Sequence, residues 1–283
     1  RVWYAPTADI VIVRGRGTLR ARMSASIEVA GQTARIEGDA TLDVEAGRVD
    51  LAIVLPRLDS AMIAMADPGL AQVGVLRAEI GGRIEMVVGL ADGVRAARID
   101  LYTGPGTLSD TRLFPEPVRF TGLRLRARSE GSLDTVSFDA TAIELAGATI
   151  SASGRIQQAT TEPMLTLSAD ARNVQADELR LLWPIGAGPG ARRWVTDNIS
   201  DGIVEEGTLE LVARMPENST PPVLVERLDA RMRYSGLTIN YRDPMIPVRG
   251  VGGTATFTAA RAVFDVTSGT ALGLHVDTGQ IVL

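Results

Sequence analysis

One histidine, no cysteine and scattered carboxylates are the whole stock from which a catalyst could be assembled here. A Ser-His-Asp arrangement would have to use His275, which stands between Leu274 and Val276 on the polar side of an alternating segment. A surface or edge residue is the plainer reading. The run Gly186-Ala187-Gly188-Pro189-Gly190 has the glycines of a phosphate-cradling loop. It lacks the Gly-Lys-Ser/Thr ending, and Pro189 removes a backbone donor, so a connector is expected. Glu205 and Glu206 are adjacent on a strand, where neighbours face opposite ways, and are not expected to flank one substrate bond. Arg119, Arg124, Arg126 and Arg128 come nearest to a basic patch. They could meet anionic headgroups, but a plain polar strand face is preferred. No metal site, no cofactor and no enzyme activity are expected.

Composition narrows the classes further. The chain has 283 residues, enough for one large β domain or two ordinary ones. Its 34 acids and 29 bases are interspersed, and only 4% of residues are aromatic. Nucleic-acid binding calls for a basic stripe with stacking aromatics, and neither is present. No run of 18 apolar residues exists to span a membrane as a helix. The opening at Arg1 and the closing strand Gln280-Ile281-Val282-Leu283 suggest an excised segment, in which a missing anchor or signal peptide carries no weight.

The elements that must position any site are strands. In 18–29 the apolar set Leu19, Ala21, Met23, Ala25, Ile27 and Val29 alternates with Arg20, Arg22, Ser24, Ser26 and Glu28, and 34–44 repeats the pattern. A period of two means one dry and one wet face. Strands follow at 49–55, where Pro56 is expected to end pairing, and at 78–90, 95–103, 106–113, 118–128 with a bulge at Gly122, 133–145, 148–157 and 164–174. More follow at 207–215, 223–234, 237–241, 248–257, 262–268 and 272–283. Asp92-Gly93 and Gly104-Pro105-Gly106 read as hairpin connections, and 217–222 is linker-like.

Two inserts break the alternation. In 58–76 the apolar residues take helical spacing, with Asp59 or Ser60 as a cap and Pro68-Gly69 as a break. The second, near 176–200, reads as a helical plug laid against the sheet. Leu182, Trp183 and Pro184 close a turn, then Arg192, Arg193, Trp194, Val195 and Ile199 form a short amphipathic helix. The tryptophans are expected to anchor the plug and the arginines to be solvated. A sharper reading has the plug gate the sheet's apolar face.

Some fifteen strands with one apolar face each must hide that face, and two inserts are too few to do so. We expect an all-β chain: an elongated, curled antiparallel sheet forming an open groove, with sub-repeats at 1–160 and 161–283. A strand of ten to twelve residues is about 35 Å long. Bent into a U, each arm would be about 15 Å deep, half of a bilayer's hydrocarbon core.

The order Leu182-Trp183-Pro184, a Gly/Pro spacer, Ala191-Arg192-Arg193-Trp194-Val195, Asn198-Ile199, Gly202 and Val204 resembles the central region of bacterial AsmA-like proteins of the YhdP type. The runs Leu237-Thr238-Ile239 with Tyr241, Pro247 and Gly250, and 58–76 followed by Gly82, Asp92-Gly93 and Leu101, are similar to the same region. The resemblance implies a periplasmic β-groove protein, anchored in the inner membrane and conducting phospholipid toward the outer membrane without catalysis. It supplies no catalytic residues. Groove-lining positions are expected at Leu51, Ile53, Leu55, Leu101, Leu165, Leu167, Leu209, Leu211, Met232, Ile239 and Phe257. The competing expectation is an envelope scaffold that acts on a protein partner through exposed sheet edges.

Overall fold

The computed structural model describes residues 4–29, 32–66, 68–131, 133–145, 147–158, 162–186, 188–216, 223–241 and 244–283. The linker-like stretch 217–222 and Ala187 lie outside them. In chain order the elements are β1 (Tyr4–Arg14), β2 (Thr18–Val29), β3 (Gln32–Asp43), β4 (Arg48–Asp59), α1 (Ser60–Ala66), a 3-10 segment (Pro68–Val75), β5 (Leu76–Arg77), β6 (Glu79–Gly89), β7 (Gly93–Thr103), β8 (Gly106–Leu108), β9 (Val118–Phe120) and β10 (Gly122–Glu130). They continue with β11 (Val136–Glu144), β12 (Thr149–Gln157), β13 (Met164–Gln175), a 3-10 turn (Ala176–Glu178), α2 (Leu179–Leu182), α3 (Pro189–Asn198), β14 (Ile199–Ser200), β15 (Ile203–Arg214), β16 (Leu224–Ile239), β17 (Val248–Thr258), β18 (Ala262–Ala271), β19 (Leu274–His275) and β20 (Gly279–Val282). The fold is all-β, antiparallel, with a few short helices at the two expected inserts.

Several boundaries differ from expectation for physical reasons. Pro56 does not end β4. The pairing with β6 shifts register between Leu55 and Leu58, and that irregularity absorbs the missing N–H. The phase slip at Gly122 is a break between β9 and β10 rather than a bulge within one strand. The strand expected over 106–113 stops at Leu108, where Asp110 takes up the next turn, its carboxylate accepting from the Arg112 backbone at 3.0 Å. The segments 223–234 and 237–241 are one strand, β16, bent at Gly236. The stretch 272–283 is interrupted between β19 and β20. β1 was not expected, because Ile10, Val11, Ile12 and Val13 are consecutive and carry no period of two.

The chain divides into two compact units. The first comprises Arg1–Ser109, Arg119–Thr141 and Gln157–Thr160, and the second Asp110–Val118, Ala142–Ile156 and Thr161–Leu283. In the first, β1, β2, β3, β4, β6, β7 and β10 pair in that order, each antiparallel to the next. Helix α1 leaves β4 and reaches back to β2, capped by Asp59, whose carboxylate accepts from the Ala61 N–H at 2.7 Å. Ser60 is buried instead, bonded through its backbone and hydroxyl to Ala78. Leu58 and Met62 are buried at this end, with Ile80 paired to Leu58 and with Ala25 of β2.

In the second unit β13, β15, β16, β17, β18 and β20 pair in order, with β14 on the end of β16. Between β14 and β15 the chain turns at Asp201 (φ 57°) and Gly202 (φ 67°), facing Gly236 (φ 73°). A Cβ at Gly202 would lie 2.5 Å from backbone atoms of Ser235, Gly236 and Leu237. Both the left-handed backbone and the contact demand glycine. Gly202→Ala is expected to lower unfolding free energy by about 2 kcal/mol or more in urea titration. An unchanged midpoint would mean the corner relaxes freely.

Candidate functional site

The register of the first unit brings its expected site residues onto one face. Leu51 lies between Ala40 and Met86, Ile53 between Gly38 and Ile84, and Leu101 between Gly82 and Leu125, while Leu55 is opposite Gly82. Residues directly opposite in a sheet share a face. The same face therefore continues through Ile99 and Ala127 on one side, and through Ala21 with Ile12 and Met23 with Ile10 on the other. This aliphatic strip crosses seven strands, six steps of about 4.8 Å or about 29 Å. α1 closes it at one end of β2 to β4. Leu51, Ile53, Leu55, Ile84, Met86, Ile99, Leu101 and Leu125 are half-buried, and Met23, Ile10 and Ile12 toward β1 are exposed. Sequence reasoning missed Ile84, Met86, Ile99 and Leu125, although their period of two was visible; only the register shows that they adjoin the others.

In the second unit the expected residues separate into two groups. Leu165, Leu167, Leu209 and Leu211 are half-exposed neighbours on β13 and β15, with Leu167 directly opposite Leu211. Ile239 and Phe257 are 1% and 3% exposed, and Met232 packs against them. Ile239 and Phe257 lie in a core under the plug, away from solvent, while Met232 at its margin is half-buried, as Leu51 and Ile53 are. Trp183 meets Phe257 edge-on at 5.6 Å, Trp194 meets Phe264 at 5.4 Å, and Val195 and Ile199 are buried between them. Leu179 and Trp183 flank a residual void of only about 10 Å³, at the lower limit for a single water.

The plug is fastened at several points. Arg192, expected to be solvated, donates to the carbonyls of Trp183 (3.1 Å) and Arg180 (3.0 Å), taking up acceptors that the end of α2 leaves free. Arg193 is exposed. Leu182 and Pro184 are half-buried on the turn between the helices. Pro189 begins α3 at the position where a missing N–H costs nothing. Ala176 donates to the Gly202 carbonyl and Asn240 to that of Asn198, pinning both ends of the insert to the sheet. These contacts favour an anchor over a gate.

The polar residues form ion pairs. On the wet face of the first unit Arg22 meets Asp39 at 3.1 Å, Arg83 meets Glu85 at 2.7 Å, and Arg124 meets Asp100 at 3.0 Å. The Arg124 guanidinium hydrogen-bonds the Asp100 carboxyl and holds it below the usual carboxylate range. Arg128 meets Asp139 at 3.6 Å, so two of the four arginines of the supposed basic patch face carboxylates. A concavity of about 420 Å³ has both charged residues (Asp39, Glu85, Arg98) and apolar ones (Leu51, Met86, Val87) in its lining. A twisted sheet is saddle-shaped, hollow along one diagonal on either face. Glu205 and Glu206, expected to diverge, both reach Arg233, at 3.1 and 3.4 Å. A register shift between Val204 and Glu206 brings them together. His275 is exposed on β19.

No family model, curated protein or solved structure matches this chain.

Trp194→Ala is expected to cost about 3–4 kcal/mol of stability, and Arg192→Met about 1–2 kcal/mol, measured by chemical denaturation. Equal and negligible costs would mean the plug is not seated as described. Tyr234, 2% exposed, donates its hydroxyl to the Asp265 carbonyl at 3.1 Å, and burial pushes its pKa up to about 12. Above pH 10 the unfolded chain loses this proton while the folded one keeps it. Stability should therefore fall as pH rises from 10 toward 12. Tyr234→Phe should flatten that part of the profile.

Proposed function

We propose that this chain is a non-catalytic conduit for the acyl chains of phospholipid, a periplasmic segment of an inner-membrane-anchored AsmA-like protein that passes lipid toward the outer membrane. The observation that carries the reading is the continuous aliphatic strip of the first unit, half-buried along most of its length and exposed toward β1, about 29 Å across seven strands. Water wets such a surface at a cost of about 25 cal/mol for each Å² of apolar area. A fatty tail removes that cost without asking for a hydrogen bond. The second unit supports the reading with its smaller half-exposed group at Leu165, Leu167, Leu209 and Leu211. The path runs across the strands, because α1 obstructs movement along them.

One observation favours the alternative, an envelope scaffold. β1 pairs with β2, and its residues Ile10 to Val13 are 59–66% exposed. Such a strand invites strand addition by a protein partner.

Purification without added lipid followed by denaturing mass spectrometry separates the two readings. The conduit reading expects co-purifying phospholipid, reduced at least about tenfold by Ile53→Asp with Leu101→Asp while the circular dichroism of the sheet is unchanged. A lipid-free protein, or lipid retained by the folded double variant, would remove the basis for the conduit.

A further inference from the structure

Two neighbouring connections at the plug end of the second unit combine exposed aliphatic side chains with an absence of Asp, Glu, Lys and Arg. Residues 244–248 (Pro-Met-Ile-Pro-Val) lead into β17, and residues 271–276 (Ala-Leu-Gly-Leu-His-Val) turn from β18 into β19. They are adjacent in space because β17 and β18 pair, with Arg249 opposite Thr270, and because Val248 approaches Gly269. Neither run contains an Asp, Glu, Lys or Arg, in a chain where such residues make up 22%. Met245 and Ile246 are 53% and 48% exposed, and Leu272 and Leu274 are 77% and 71% exposed. Tyr241 stands on the shoulder at 39%. Arg242 and Asp243, which follow it, lie outside the described residues and cancel in charge.

Leu272 is the telling residue. Its φ is 54°, followed by Gly273 at 78°, a turn in which both central residues are left-handed. Asparagine or glycine occupies the first of these positions without strain, whereas a leucine does not. A strained backbone that holds an aliphatic side chain out into solvent gains nothing for the fold, which points to a use outside it.

We infer that this pair of turns docks on the surface of a lipid bilayer, the aliphatic side chains entering the boundary between headgroups and hydrocarbon. Two features favour a bilayer over a protein partner. The exposed side chains come from two separate connections, which fluid lipid accommodates without a matching set of pockets. The uncharged runs with a phenol at their shoulder follow the pattern of membrane-interface residues, apolar below and amphipathic at headgroup level. The exposed charges beside the runs, Arg249 and Asp277, are opposite in sign, so attachment suits zwitterionic lipid and depends little on salt. It does not depend on the conduit reading, since none of these side chains belongs to the strip of the first unit.

The test is flotation of the whole chain with phosphatidylcholine vesicles on a density gradient. Wild type is expected to float, with a partition that changes less than about twofold between low and high salt. Leu272→Asn should keep or raise the melting temperature, since asparagine tolerates the left-handed turn, and should weaken flotation. Adding Leu274→Ser should reduce partition at least about tenfold. Val54→Asp, on the charged face of the first unit, should float as wild type does, and the conduit is read separately from co-purifying lipid, so that the two failures remain distinguishable. The inference is overturned if folded wild type stays at the bottom, or if the double variant floats undiminished. It is equally overturned if binding needs phosphatidylglycerol and vanishes in salt. A self-association abolished by Leu272→Asn with Leu274→Ser, without flotation of wild type, would assign the turns to a protein contact instead.

Discussion

A long antiparallel sheet with one aliphatic side imposes a single demand, that this side be kept from water. Sandwiches and barrels meet it with more sheet. In this chain each unit meets it in part, with a short helical insert placed at one end of its strands. In the first unit α1 covers the end where Leu58, Met62, Ile80 and Ala25 are buried. In the second the plug covers Tyr234, Leu237, Ile239, Phe257 and Phe264. Beyond each insert the same face continues half-exposed, and the functional reading turns on that remainder.

The inserts themselves are built as fixtures. Aromatic rings interlock beneath the plug, Phe257 meeting Phe264 edge-on at 5.4 Å while each also meets a tryptophan from above. Arg192 joins the two plug helices through backbone carbonyls, so they are tied to one another as well as to the sheet. Such an arrangement spends its aromatic residues where they hold the fold and leaves the exposed face to Leu, Ile, Ala and Met. Those side chains are smooth and adaptable, and they ask for no directional contact. The same division explains why the carboxylates and guanidinia pair on the opposite face.

Much of this was legible in the sequence. Period-two alternation in β2 and β3 gave both strands and which residues share a face, and the change to helical spacing marked both inserts. Other features were not legible, for identifiable reasons. The run Ile10 to Val13 has no period, so β1 left no alternating trace. Pro56 reads locally as a strand breaker, but the register shift that tolerates it depends on β6, a partner distant in sequence. Ile239 and Phe257 have the same alternation as Leu51 and Ile53. Only the position of the plug decides that the first pair is sealed and the second is not. The convergence of Glu205 and Glu206 on Arg233 likewise depends on a bulge that a strand pattern cannot announce.

The sharpest discrimination comes from the sheet's own geometry, since adjacent residues of β4 face opposite sides. A photo-crosslinking amino acid placed singly at positions 51, 52, 53 and 54, in cells making the protein, reads which face lipid touches. The account predicts phospholipid adducts at 51 and 53 and none at 52 and 54, where Ala52 and Val54 lie among Asp39, Glu85, Glu37 and Arg83. Adducts at 52 and 54, or protein adducts in place of lipid at 51 and 53, would contradict it.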